Sequence, residues 1–209
     1  KQILKESQAV LSGSFILKAL TRSAKWNPKD LDIYVPCNKN TMDAERPFDK
    51  FLIGVGFEQR KGRAVIRRYN AGNSKNILKI REFERFNYKN NAKYRTRPII
   101  QIISMSLSHE GIIKFIQDEF DLSICKNAYY IDAEGKERCI INDLSGLSSN
   151  VSYFNMEKCS NWKRVDKYVI ERGIKLIYNP HDLFDAMNIT YDYSNEESEF
   201  LISETRSGD

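Results

Sequence analysis

Histidine is almost absent from this chain and cysteine is scattered: His109 and His181 are its two histidines, and Cys37, Cys125, Cys139 and Cys159 its four cysteines. No pair of cysteines has the spacing of zinc ligands, and neither histidine has a triad partner, so neither a zinc centre nor a Ser-His-Asp hydrolase is expected. The same scatter suits reduced thiols in an intracellular, cytoplasmic setting, with Cys125 and Cys139 as small buried apolar residues. Long hydrophobic runs are missing too. Nothing approaches the length of a bilayer span, and Lys1 to Gln8 is polar rather than leader-like, so no membrane partner is expected. There is no internal repeat.

Acidic residues are thin in one stretch. Between Arg60 and Arg97 the only acids are Glu82 and Glu84, set among Arg63, Arg67, Arg68, Lys79, Arg81 and other basic residues, with Tyr69, Phe83, Phe86, Tyr88 and Tyr94 interleaved. Basic side chains for phosphates and rings for bases would equip a groove for single-stranded RNA or DNA; the alternative is a solvated strand face. The whole chain has a formal charge of +5 and a sequence pI near 8.9, which fits an anionic partner without demanding one.

The most informative segment runs from Leu11 to Val35. Ala9-Val10-Leu11 is short and strand-like, Gly13-Ser14 breaks it, and Phe15 to Leu20 reads as the first turns of a helix. A strand, a glycine turn and a helix start present free backbone N–H groups that suit a phosphate, with Lys18 adding charge one turn later. After a polar loop comes Asp30-Leu31-Asp32-Ile33-Tyr34-Val35. In a strand Asp30 and Asp32 share one face, and two carboxylates that close call for a hard divalent cation between them. The alternative is a surface turn with two solvated acids.

Gly-Ser, a helix and then Asp-x-Asp on the next strand resemble the nucleotidyltransferase superfamily with the DNA polymerase β-like catalytic core. Trp26-x-Pro28-x-Asp30-Leu31-Asp32 is similar in particular to uncharacterised fungal and large-virus nucleotidyltransferase-like proteins. The resemblance implies a cytoplasmic enzyme, in the host cytoplasm if viral. It would use Mg²⁺ or Mn²⁺ to transfer a nucleoside monophosphate from a nucleoside triphosphate to a hydroxyl acceptor. It also implies a third acid on a neighbouring strand. The obvious strand, Ile99 to Ile103, carries Gln101 there, and an amide cannot act as a base. Asp121, in Phe120-Asp121-Leu122-Ser123, is the next candidate for catalysis and metal binding; the alternative is an acid paired with a neighbouring Lys or Arg. Near the end, Arg164-x-x-Lys167-Tyr168-x-x-x-Arg172-Gly173 resembles a basic helix of the viral proteins, implying that Arg164, Lys167, Tyr168 and Arg172 contact a nucleotide or an acidic core residue, with Lys167 and Tyr168 joining Gly13, Ser14 and Lys18 in nucleotide binding. A structural ion-pair role is the alternative for this helix.

The expected fold is α+β: a mixed β-sheet nucleotidyltransferase core over 1–142 with flanking helices, a small C-terminal helical piece over 143–188, and an acidic tail over 189–209. Helices are expected over Asp43–Val55, Glu110–Asp118, Ser160–Gly173 and Pro180–Met187. Strands are expected over Ala64–Tyr69, Asn76–Phe86, Pro98–Met105, Phe120–Ile131 and Arg138–Ile141. Two other functions remain open. One is a non-catalytic nucleic-acid-binding module on a degenerate core, which Gln101 favours; the other is a toxin-like enzyme modifying tRNA or protein.

Overall fold

Ile99, Ile100, Ile102 and Ile103 form the most apolar strand of the chain, and the fold is arranged to bury both of its faces. The structure is a computed structural model, and it describes residues 1–21, 24–37, 46–60, 74–89, 92–95, 98–159 and 162–178. A short helix α1 (Gln2–Glu6) leads into β1 (Val10–Ser12), α2 (Ser14–Leu20) and β2 (Asp30–Pro36). Then follow α3 (Arg46–Gly54), β3 (Glu58–Gln59), β4 (Ile77–Glu84), the hairpin β5 (Phe86–Lys89) and β6 (Ala92–Arg95), and β7 (Ile99–Met105). After α4 (His109–Glu119) come β8 (Ala128–Ile131) and β9 (Glu137–Ile140).

Seven strands form one mixed sheet in the order β3-β4-β7-β2-β1-β8-β9. β2 and β7 run parallel and the other pairs antiparallel. Every residue of β7 is buried, because helices cover both faces of the sheet. On one face Phe48 and Leu52 of α3 meet Ile33, Val35, Phe83, Ile100 and Ile102. On the other Ile112 and Ile116 of α4 meet Tyr34, Ile80, Ile103 and Met105. The alternation along β2 places Asp30 and Asp32 on the α4 side, in the row that Tyr34 continues.

The expectation of a strand over Phe120–Ile131 is corrected. Leu122 makes a single bridge to Phe154, Ser123–Cys125 is a 3₁₀ turn, and the strand begins at Ala128. Polar side chains capture the local backbone instead: Asn127 Nδ2 donates to the Ile124 carbonyl at 2.6 Å, and Ser123 Oγ accepts from the Tyr153 amide at 3.0 Å.

The C-terminal piece is likewise not purely helical. It contains α5 (Leu144–Ser149), β10 (Val151–Phe154), α6 (Trp162–Asp166) continuing as a π-helical turn (Lys167–Glu171), and β11 (Lys175–Tyr178). β10 and β11 pair in parallel, with α6 as the crossover between them. Leu17 of α2 belongs to the same apolar cluster as Leu122, Phe154, Tyr168, Ile174 and Leu176, so this piece is welded to the helix that follows Gly13. Ala64–Tyr69, Pro180–Met187 and the acidic tail lie outside the described residues. Among the described residues no helix is long and apolar enough to cross a membrane.

Candidate active site

Gly13 ends β1 and caps α2 with φ +76° and ψ −153°, a backbone conformation almost closed to residues with a side chain. A Cβ built there would lie 2.6 Å from Asp32 Oδ2. The glycine therefore serves two ends: it turns the chain, and it leaves the space that the Asp32 carboxylate occupies. Ser14 is buried and makes no side-chain cap; Ser12, which pairs with Asp32 across the sheet, donates to the Asn127 carbonyl at 2.6 Å.

Asp30 and Asp32 each keep one oxygen, Oδ1, buried and without a hydrogen-bond partner. Burial first, and the Asp30 charge second, push the Asp32 carboxyl from its ordinary 3.8 up to about 7; Arg164 and Lys167 pull it back. Lys167 feels the converse. Burial lowers its ammonium pKa, Arg172 lowers it further, and Asp30 opposes both. Asp32 thus lies within electrostatic reach of Arg164 and Lys167, and Asp30 of Lys167.

Asp121 sits in the turn after α4, and Arg164 Nε donates to its Oδ1 at 3.1 Å. Its carboxylate is engaged by a guanidinium that also acts on Asp32. Among the described residues no three His, Cys, Asp or Glu side chains gather where they could hold a metal ion together. Gln101 lies in register between Asp32 and Glu82, and its Nε2 donates to Glu82 Oε1 at 3.0 Å. Arg60 Nη1 meets Glu82 Oε2 at 2.8 Å. Glu82 was not singled out from the sequence, although alternation about Gln101 across the sheet would have found it.

Several expected contacts have other partners. Lys18 donates to the Ala24 carbonyl, with its Nζ 5.7 Å from the Trp26 ring centre, so it holds the loop after α2 rather than standing free for a phosphate. Tyr168 is wholly buried in the C-terminal apolar cluster, where its hydroxyl accepts from Cys125 Sγ at 3.1 Å and burial raises its pKa. Arg81, expected at nucleic acid, is buried and ion-paired with Asp49 of α3. Lys79 follows an irregularity in β4, and Arg63, Arg67 and Arg68 lie outside the described residues.

Residues 1–158 match the family described as Gabija anti-defense 2 family protein, and the chain belongs to that family. The match includes Gly13, Asp30, Asp32 and Asp121 and stops before α6. No curated protein matches the chain.

Proposed function

We propose that this member of the Gabija anti-defense 2 family is a nucleotidyltransferase that uses Asp30 and Asp32 to engage a divalent cation together with a nucleoside triphosphate. The observation that carries the proposal is the pair of buried, unpartnered Oδ1 atoms, one on each acid. Such a pair is costly alone and matches the oxygen preference of Mg²⁺ or Mn²⁺. Bound there, the cation would neutralise phosphate charge and activate an acceptor hydroxyl.

The chain's own residues supply the rest. Gly13 leaves room for Asp32 against the main chain, and Lys167 brings positive charge to the side where a polyphosphate would leave the acids. Asp121 acts as a positioning residue, holding Arg164 where its charge meets Asp32. The setting we propose is the cytoplasm of a cell that carries the Gabija defence.

Gln101, standing where a third acid would be expected, favours a second reading: a binding module without transfer, for single-stranded nucleic acid. The experiment incubates each α-labelled nucleoside triphosphate with the protein and Mg²⁺ or Mn²⁺, with and without RNA, DNA and lysate acceptors. Labelled product that disappears in Asp30→Asn and Asp32→Asn supports transfer. Oligonucleotide binding with no labelled product in any arm supports the second reading, and product that survives both substitutions overturns the first.

A further inference from the structure

Asp32 belongs to a polar row that crosses four neighbouring strands. Ser12 of β1 pairs with Asp32 of β2, Asp32 with Gln101 of β7, and Gln101 with Glu82 of β4. Residues opposite one another in a ladder point to the same face, so all four side chains stand on the side of the sheet that carries the acids. Ser12, Gln101 and Glu82 are buried. Uncharged groups therefore fill both places beside Asp32, and the next carboxylate of the row starts two strand spacings away, about 10 Å between main chains.

Each neighbour is held in its place. Ser12 Oγ donates to the Asn127 carbonyl at 2.6 Å. Gln101 Nε2 donates to Glu82 Oε1 at 3.0 Å and Arg60 Nη1 to Glu82 Oε2 at 2.8 Å, so the guanidinium fixes the carboxylate and the carboxylate fixes the amide. An ionised glutamate at 101 could not make that bond, because it has no donor and would face Glu82 as a like charge on the adjacent strand. The other approaches to the acid pair are no richer in charge. Asp30 has the apolar Ile99 as its partner on β7, and Asp121 is engaged by Arg164. Among the described residues no third acid joins Asp30 and Asp32 in a metal-binding group.

Two divalent cations that share carboxylates lie about 3.5–4 Å apart and repel one another, so the second is held only where a further anionic ligand offsets that repulsion. Resting on the reading above, we propose that the site takes one divalent cation and not two, and that Gln101, pinned by Glu82, is the residue that sets this number. The amide occupies the position on β7 from which a carboxylate would reach a second ion beside Asp32. Exchanging the two residues undoes the limit: Gln101→Glu with Glu82→Gln keeps the net charge and a hydrogen bond of reversed polarity, and it moves the carboxylate one strand closer to Asp32.

The test counts Mn²⁺ bound to the full chain, without nucleotide, from the loss of the free-ion electron paramagnetic resonance signal. The Asp30→Asn, Asp32→Asn double variant is the blank, which subtracts ions held elsewhere. Wild type is expected to bind one ion more than the blank, and the exchanged variant two. Gln101→Glu alone is the second variant should the exchanged protein fail to fold, and it too is expected to bind two. Two ions in wild type overturn the proposal and leave the reading above standing. No difference between wild type and the blank overturns both, since the acids then hold no cation. A count that stays at one when a folded variant carries Gln101→Glu overturns Gln101 as the limit.

Discussion

Gly13→Ala should damage both the fold and the site, by two separable routes. The first is the backbone: φ +76° with ψ −153° lies in a region open essentially to glycine alone, and holding alanine there costs about 1–3 kcal/mol. The second is the new methyl group, which would stand 2.6 Å from Asp32 Oδ2 and must drive the carboxylate away from the main chain. Overpacking of that kind adds about 1–2 kcal/mol. Together these imply a loss near 3 kcal/mol, which in a chain of this length lowers the melting temperature by about 6–12 °C. The assay is a double-mutant cycle by urea or thermal unfolding, with Asp32→Ala as the second change. Removing the carboxylate abolishes the collision and leaves the backbone cost, so Gly13→Ala should be cheaper by about 1–2 kcal/mol in the Asp32→Ala background. Equal costs in the two backgrounds would refute the close approach of Asp32 as the reason for the glycine. A cost below about 0.5 kcal/mol would refute the backbone reason as well.

Asp30→Asn and Asp32→Asn should each leave the metal-free protein as stable as wild type or more so, since either relieves a repelling pair; differential scanning fluorimetry should then show the Mn²⁺-plus-triphosphate shift of wild type and little of it in the mutants. Raising the pH should cost wild type stability that Asp32→Asn does not lose. The folded Asp32 carboxyl titrates near 7 against an ordinary 3.8, so its stabilising protonation is complete below about 3.8 and gone above about 7; the difference between the two proteins is at most about 4 kcal/mol. Chemical denaturation at pH 4.5 and pH 8 checks the sign, and a wild type that gains stability relative to the mutant over that span would contradict it. Arg81→Met should lower stability by about 2–3 kcal/mol through loss of the Asp49 ion pair and leave oligonucleotide affinity unchanged; weakened binding in a stably folded mutant would return Arg81 to the nucleic-acid surface.

Those elements whose signals are local and mutually consistent were legible in the sequence. Gly13 after a three-residue strand, the apolar run of α2 and the alternation of β2 each point to the same strand-turn-helix-strand unit. The isoleucines of β7 mark a strand buried on both faces. The chain from Phe120 misled because its apolar residues alternate, while Ser123 and Asn127, which decide the backbone there, do so through hydrogen bonds to Tyr153 of β10 and to Ile124 within the turn. β10 and β11 were missed for a related reason. Each has four residues and acquires its meaning from a parallel partner across α6, a pairing that leaves no short-range pattern. Arg81 shows the same limit for a side chain: alternation gives its face, but the partner, Asp49, stands on a helix that only the folded chain brings near.

The shared strand face of Asp30 and Asp32 was legible, and the charge balance around them was not. Among the described residues, Asp121 and Arg164 satisfy one another, whereas Asp30 and Asp32 retain buried oxygens without donors and Arg172 retains buried nitrogens without acceptors. Unmatched groups of both signs lie close enough for Lys167 to be influenced by Asp30 and by Arg172. A simple anion would answer the arginine and aggravate the acids, and a bare cation would do the reverse. Under the proposed function, a divalent cation carried by a polyphosphate would answer both, the metal toward Asp30 and Asp32 and the phosphate oxygens toward the cations near them. On this reasoning the two halves of the ligand would bind cooperatively: each should raise the affinity for the other by more in wild type than in Asp30→Asn or Lys167→Gln, because each substitution removes a charge that only one half of the ligand satisfies.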